Sequence, residues 1–133
     1  MLVITSKSPY AVRALAELAR RGDSVPAPIG DLARARDIPV QFLEGLFASL
    51  RRAGILQSQR GVKGGYSFAR PPSEVTILEV VELLEGELGA EAAAGGPIWT
   101  DAVDAVRNVL GATTIADIAE RETRDSAAPM YYI

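Results

Sequence analysis

The chain has 133 residues, enough for one domain with a modest core. It contains no cysteine and no histidine, which excludes disulfides, thiolate or imidazole metal sites, cysteine-ligated iron-sulfur clusters and every catalytic device built on those side chains. The net charge of −3 conceals a division: residues 1–72 hold 11 Lys+Arg against 5 Asp+Glu, net +6, while residues 73–133 hold 3 against 12, net −9.

A basic half joined to an acidic half suggests a polyanion-binding module attached to a part that should avoid the polyanion, although clustering on solvated faces gives the same sums. No apolar run approaches the roughly 20 residues that span a membrane, and the N-terminus lacks the long apolar stretch of a signal peptide. The sequence therefore predicts a cytoplasmic protein with no membrane partner.

In chain order, Ser8 and Pro9 read as the N-cap and first position of a helix that turns Tyr10, Ala11, Ala14, Leu15, Leu18 and Ala19 inward and stops at Gly22. A short helix follows over 29–37, with Leu32 and Ala33 inward and Asp31 in its first turn. Ile38 and Pro39 then turn the chain into a third helix from Val40 that ends at Gly54. Two short strands, 55–59 and 65–69, flank the basic, glycine-rich stretch RGVKG and predict a hairpin. Thr76 and Glu79 form a capping-box pattern opening a helix that closes at Gly86. Residues 87–96 show no core-forming pattern and read as a loop. From Pro97 a longer helix places Trp99, Ala102, Val103, Val106, Val109 and Leu110 on one face, and a last short helix over 114–121 precedes the tail.

Three helices, the second and third joined by a tight turn, followed by a hairpin with a basic tip, give the order of a winged helix-turn-helix. On the third helix Phe42, Leu43, Leu46, Phe47 and Leu50 make the buried side, leaving Gln41, Glu44, Gly45, Ala48 and Arg52 outward. That outward face is small in its middle, so it suits a major groove, where Gln41 can pair with adenine and Glu44 can accept from cytosine. Gly45 costs about 1 kcal/mol relative to alanine inside a helix, and either close approach to DNA or crowding against another helix would account for it. Arg60 and Lys63 project from the wing, whose glycines let the backbone pass near phosphates. The RGVKGG run lacks both the GxxxxGK[ST] and the GxGxxG spacing, which excludes a phosphate-binding loop of those kinds. The carboxylates are scattered along helix faces with no pair in a cleft motif, so the sequence predicts no enzyme.

The stretches SKSPYAVRALAELA, FLEGLFASLRRAGILQSQRGVKGGYSFAR and TILEVVELLEG, in that order and spacing, closely resemble the bacterial winged-helix transcriptional regulators of the IscR, NsrR and CymR family (Rrf-type). The likeness covers nearly the whole chain and is nearest to the cysteine-free, CymR-like cysteine-metabolism repressors. It implies a mainly α fold with a small β-hairpin wing: a winged helix-turn-helix DNA-binding domain over 1–86, a loop, long dimerisation helix and short helix over 87–121, and a C-terminal tail over 122–133. It implies a homodimer on a pseudo-palindromic operator in double-stranded DNA, joined through the stripe that holds Trp99, Val103, Val106 and Leu110. By position, Lys7 and Tyr10 would meet phosphates; Gln41, Glu44, Ser58 and Arg60 would approach bases; Lys63 and Gly64 would form the wing tip.

Two departures stand out. Several relatives open the third helix with serine hydroxyls where this chain has Pro39 and Val40, so its base preferences would differ. The sensor members hold an iron-sulfur cluster with three cysteines in the loop before the long helix, and the equivalent stretch here has none, so no cofactor is expected.

The chain ends in Met-Tyr-Tyr-Ile behind a polar stretch. The resemblance implies control by cysteine synthase (O-acetylserine sulfhydrylase), an enzyme that also takes a C-terminal isoleucine. A terminal carboxylate would imitate the substrate carboxylate among backbone N–H donors, with the Ile133 side chain in the pocket beside it and Tyr131 and Tyr132 at its mouth. Folding back of these residues onto the dimer is an equal expectation. Two further readings stay open: an adaptor that uses the tail to occupy an enzyme's active site, and a regulator of other genes answering to a small molecule.

Overall fold

The computed structural model describes residues 4–22, 25–61 and 64–126. Among them the element order is α1 (Lys7–Arg21), α2 (Ile29–Arg36), α3 (Val40–Arg52), β1 (Leu56–Gln59), β2 (Gly65–Phe68), α4 (Ile77–Glu85), α5 (Pro97–Gly111) and α6 (Ile115–Ser126), with 3-10 turns at Pro72–Glu74 and Ala92–Gly95. No helix of the described residues is long and apolar enough to cross a membrane.

α1 is the hub, touching α2, α3, α4 and α6. Its buried side is rich in alanine, with Ala11, Ala14 and Ala16 beside Leu15 and Leu18, and small side chains let four helices approach one axis. The start of α1 differs from the expected cap. The helix begins at Lys7, Ser8 is buried inside the first turn, and the free amides are served from another helix. Glu85, the last residue of α4, accepts from the Thr5 amide (2.9 Å), the Thr5 hydroxyl (2.9 Å), the Ser8 amide (3.3 Å) and the Ser8 hydroxyl (2.8 Å). Burial raises the Glu85 carboxyl, but the hydrogen bonds from Ser8 and Thr5 outweigh it and hold the group below the ordinary carboxylate value.

The turn between α2 and α3 is fixed by backbone. Asp37 takes the left-handed conformation at φ 54°, and the Ile38 amide donates back to the Ala33 carbonyl at 2.9 Å, the geometry that ends a helix sharply. Ile38 is buried, and Pro39 immediately precedes α3. Leu43, Leu46, Phe47 and Leu50 then carry α3 onto the core. The hairpin pairs Leu56 with Phe68 and Gln59 with Gly65, and its outer strand gains a third partner: Ala27 and Tyr66 exchange hydrogen bonds at 2.9 and 2.8 Å. The Tyr66 ring meets Phe47 edge-on, centroids 5.1 Å apart, which ties the wing to α3.

Half of the capping box at α4 forms. The Glu79 amide donates to the Thr76 hydroxyl at 3.1 Å, while the Glu79 carboxylate turns to Arg70 at 2.5 Å. Residues 87–96 are more ordered than their pattern suggests. Leu88 and Ala92, four apart, are both buried, and the Leu88 amide donates to Glu82, which also accepts from Arg107 of α5. α6 continues through Ser126, past residue 121 where the sequence suggests that the tail begins. Thr114 and Asp117 cap it reciprocally at 2.9 and 3.0 Å, and Glu122 gives its last turns a tertiary anchor.

That anchor is Arg36, the last residue of α2. Its guanidinium donates to Glu17 of α1 at 3.0 Å and to both Glu122 oxygens at 3.0 and 2.6 Å, and Arg20 lies 3.8 Å from Glu122. The Arg36 hydrogen bond holds the Glu122 carboxyl below its ordinary value against the opposing effect of burial. Burial raises Glu17, and bonds from Arg21 and Arg36 bring it below that value too. Both folded-state values lie below 4.5, so the stabilisation is complete above that pH and is lost as the pH falls through the lowered values. We predict that Glu122→Gln costs about 1–2 kcal/mol at neutral pH. Urea midpoints of wild type and variant should converge as the pH drops below about 4. A penalty that stays constant down to pH 3 would mean that the carboxylate charge is not what joins α2 to α6.

Candidate nucleic-acid interface

The outward face of α3 carries Val40, Gln41, Glu44, Gly45, Arg51 and Arg52, all exposed, with Ala48 and Ser49 half-buried between them. A Cβ added at Gly45 would meet nothing within 4 Å, so crowding by a neighbouring helix of the same chain does not account for this glycine. Gly45 instead floors an open groove of about 330 Å³ between α3 and the end of α4, bordered by Lys7, Gln41, Ser49 and Leu83. The groove unites Lys7 at the start of α1 with Gln41 on α3. Ser49 donates to the Gly45 carbonyl at 3.3 Å and accepts from Arg52 at 3.2 Å, which lays the Arg52 side chain along the helix. Tyr10 is half-buried, its ring edge-on to Phe42 at 5.5 Å and beneath the Arg13 guanidinium at 5.8 Å, so it braces α1 against α3 whatever else it touches.

On the wing, Ser58 lies opposite Tyr66 in the ladder, and Ser58 and Arg60 are exposed. Lys63 lies outside the described residues, as do Tyr131, Tyr132 and Ile133. The wing glycines are explained by packing more than by approach to phosphates. A Cβ at Gly64 would sit 2.2 Å from the Gln59 carbonyl oxygen, and one at Gly65 would sit 2.4 Å from the Ala27 carbonyl, where the strand pairs with Ala27. Gly61, at φ 110° with open space around it, is the tip position that needs conformational freedom.

The structure also sorts the basic half. Arg20, Arg36 and Arg21 are paired with Glu122 and Glu17, Arg34 with Asp31, and Arg70 with Glu79. Lys7, Arg13, Arg51, Arg52 and Arg60 enter no ion pair among the described residues, and all are exposed. The uncompensated positive charge of this half thus lies on the first half of α1, the end of α3 and the wing. Arg51 joins this set although its position alone did not distinguish it from a solvated arginine. The acidic half neutralises arginines elsewhere, through Glu122 and Glu79.

On α5 the expected stripe divides. Val103 is buried against Gly89, and Val106 and Leu110 pack against the chain's own core, so these three are occupied from within. Trp99 is 46% exposed, its ring beside Gly95, and Ile98 and Val109 are 67% and 65% exposed.

A helix-turn-helix with a small, polar outward face, flanked by a wing bearing a free arginine, defines a winged-helix DNA-binding protein. The chain belongs to the Rrf2 family, whose model, described as iron-dependent transcriptional regulator, matches residues 4–121. It is similar to Rv1287 of Mycobacterium tuberculosis, a predicted HTH-type transcriptional regulator, at 35% identity over 87% of this chain and 80% of that one. It is 31% identical to the HTH-type transcriptional regulator CymR of Bacillus subtilis, over 98% of this chain and 99% of CymR. The solved structure of CymR, titled the global cysteine regulator of B. subtilis, superposes with a TM-score of 0.81 over 91% of this chain and 98% of that one, at 32% identity. T. potens IscR gives 0.84 over 98% and 95%, at 29% identity. The protein is a transcriptional regulator and not an enzyme.

The family description raises iron, and this chain does not fit it. Cysteine and histidine are absent, and among the described residues no three acidic side chains come together as a metal ion would need. In the segment before α5, Leu88 and Ala92 are buried and Gly89 is pressed on the Val103 methyls, beside a concavity of about 210 Å³. Two glycine substitutions separate packing from surface. Gly65→Ala should lose about 2–3 kcal/mol in thermal or urea melts, because Ala27 backbone must move. Gly45→Ala should gain up to about 1 kcal/mol, because the site is open helix surface. A neutral Gly65→Ala would mean that the Ala27 segment yields freely.

Proposed function

We propose that this protein is a homodimeric repressor of cysteine or sulfur metabolism that works without an iron-sulfur cluster. The observation that carries the reading is the likeness to CymR along almost the full length of both chains. In this reading α3 enters the major groove of an operator half-site, Gln41 and Glu44 reach base edges, and Lys7, Tyr10 and Arg52 meet phosphates. Ser58, Arg60, Lys63 and Gly64 form the wing contact in the adjacent minor groove. The dimer forms through the open side of α5, and the exposure of Ile98, Trp99 and Val109 supports that face over Val103, Val106 and Leu110.

Gel shifts against genomic fragments at rising salt test the reading. Operator should be retained over random DNA, with affinity falling steeply as salt rises. Arg60→Ala should lower the slope of log affinity against log salt by about 2 for the dimer, one cation from each wing, and leave the dimer intact. Val109→Glu should yield monomers that bind operator weakly. Equal weak binding of the wild type to all fragments would sink the repressor reading.

The input in this reading is cysteine synthase, gripping Ile133 by its carboxylate and aliphatic side chain with Tyr131 and Tyr132 at the pocket mouth. Removal of Ile133 alone should abolish capture of purified cysteine synthase and leave operator binding unchanged. Unchanged capture would reject docking through the terminus, and capture by a wild type that binds no operator would favour an adaptor.

A further inference from the structure

α3 packs Leu43, Leu46, Phe47 and Leu50 inward and rests Phe42 on the core, which leaves one large apolar side chain of this helix in the open. That residue is Val40, 41% exposed and the first residue of α3. Its place is fixed on both sides. Before it, Asp37 in the left-handed conformation, buried Ile38 and Pro39 at φ −58° set the direction from which the helix starts. Within it, a β-branched side chain at a helix start has little χ1 freedom.

Pro39 makes no side-chain cap, so the first turn of α3 offers no side-chain donor or acceptor before Gln41. Val40 also borders a shallow concavity lined by Ala33 and Ile38, with Arg34 and Asp37 at its rim. Residues at the N-terminal end of a recognition helix are those that reach base edges. An apolar group there cannot read a donor or an acceptor. The one apolar feature of a base edge in the major groove is the C5 methyl of thymine.

We propose that Val40 is a specificity-determining residue that reads the C5 methyl of one thymine in each operator half-site. This rests on the DNA-reading role of α3 given above. The contact buries apolar surface on both partners and rejects cytosine at that position, where the methyl is missing and an amino group is left facing a side chain that cannot accept.

The test uses the full chain. Sequences selected by the wild type from a random duplex pool define the operator, and each thymine is then replaced by uracil, which removes the methyl and nothing else. One thymine per half-site should respond, with affinity falling about fourfold for one replacement and about fifteenfold for the symmetric pair. In Val40→Ala, checked for unchanged thermal unfolding, the same replacements should change affinity less than about twofold. The proposal is overturned if no thymine is methyl-sensitive, or if the sensitivity persists in Val40→Ala. Failure to enrich any sequence is a different result, which overturns the DNA reading itself.

Discussion

The arrangement of the reading head depends on where the guanidinium of Arg36 is held. Arg36 closes α2, one residue before the left-handed turn that aims α3, and it is bound from two directions by Glu17 of α1 and Glu122 of α6. A partly buried arginine with its Nε and both Nη groups occupied is geometrically specified in a way that a lysine would not be. The same pairing shapes the field. It consumes positive charge where α1, α2 and α6 meet, so what remains unpaired in the basic half stands on the first half of α1, the end of α3 and the wing, while Arg121 of α6 is unpaired on the other side. Support and electrostatic polarity are therefore one design.

A second carboxylate acts similarly at the other end of α1. Glu85 occupies the amides that a helix N-terminus would otherwise offer to an anion, so the start of α1 can attract a phosphate through the Lys7 side chain but not through those amides. It also joins the last residue of α4 to the first turn of α1, and α4 leads directly into the segment that anchors α5. A displacement of α5 thus has a short mechanical route to Lys7: Arg107 holds Glu82, and Glu85 follows one helical turn later.

Most of the element order was legible because the strong signals are local. The period of α1 and α3, the glycines at 22 and 86, and the basic hairpin all announce themselves in a few residues. What sequence missed is tertiary. Ser8 looks like a cap, and only the distant Glu85 reveals that it is capped by another helix. Glu79 matches half of a capping box, and Arg70 takes the other half away. The stripe on α5 reads as one face because periodicity cannot tell a chain's own core from a partner's, and Gly89 decides the matter for Val103. Residues 87–96 lack a pattern because two buried side chains, Leu88 and Ala92, are enough to fold them. The wing glycines were legible as necessary, but the reason lies in nearby backbone, that of Gln59 for Gly64 and of Ala27 for Gly65.

The segment before α5 bears on where a signal can enter. In this chain α5 is held by Leu88, Ala92 and the Glu82 to Arg107 pair, beside a concavity of about 210 Å³ in which no three acidic side chains among the described residues come together. α6 is different, because it ends at Ser126 with its last turns fixed to the helix-turn-helix by Glu122 alone among its acidic residues. In the proposed reading, a partner on the residues that follow would act on a helix whose last turns meet Arg20 through Ser126 and Arg36 through Glu122, and Arg36 precedes the turn into α3.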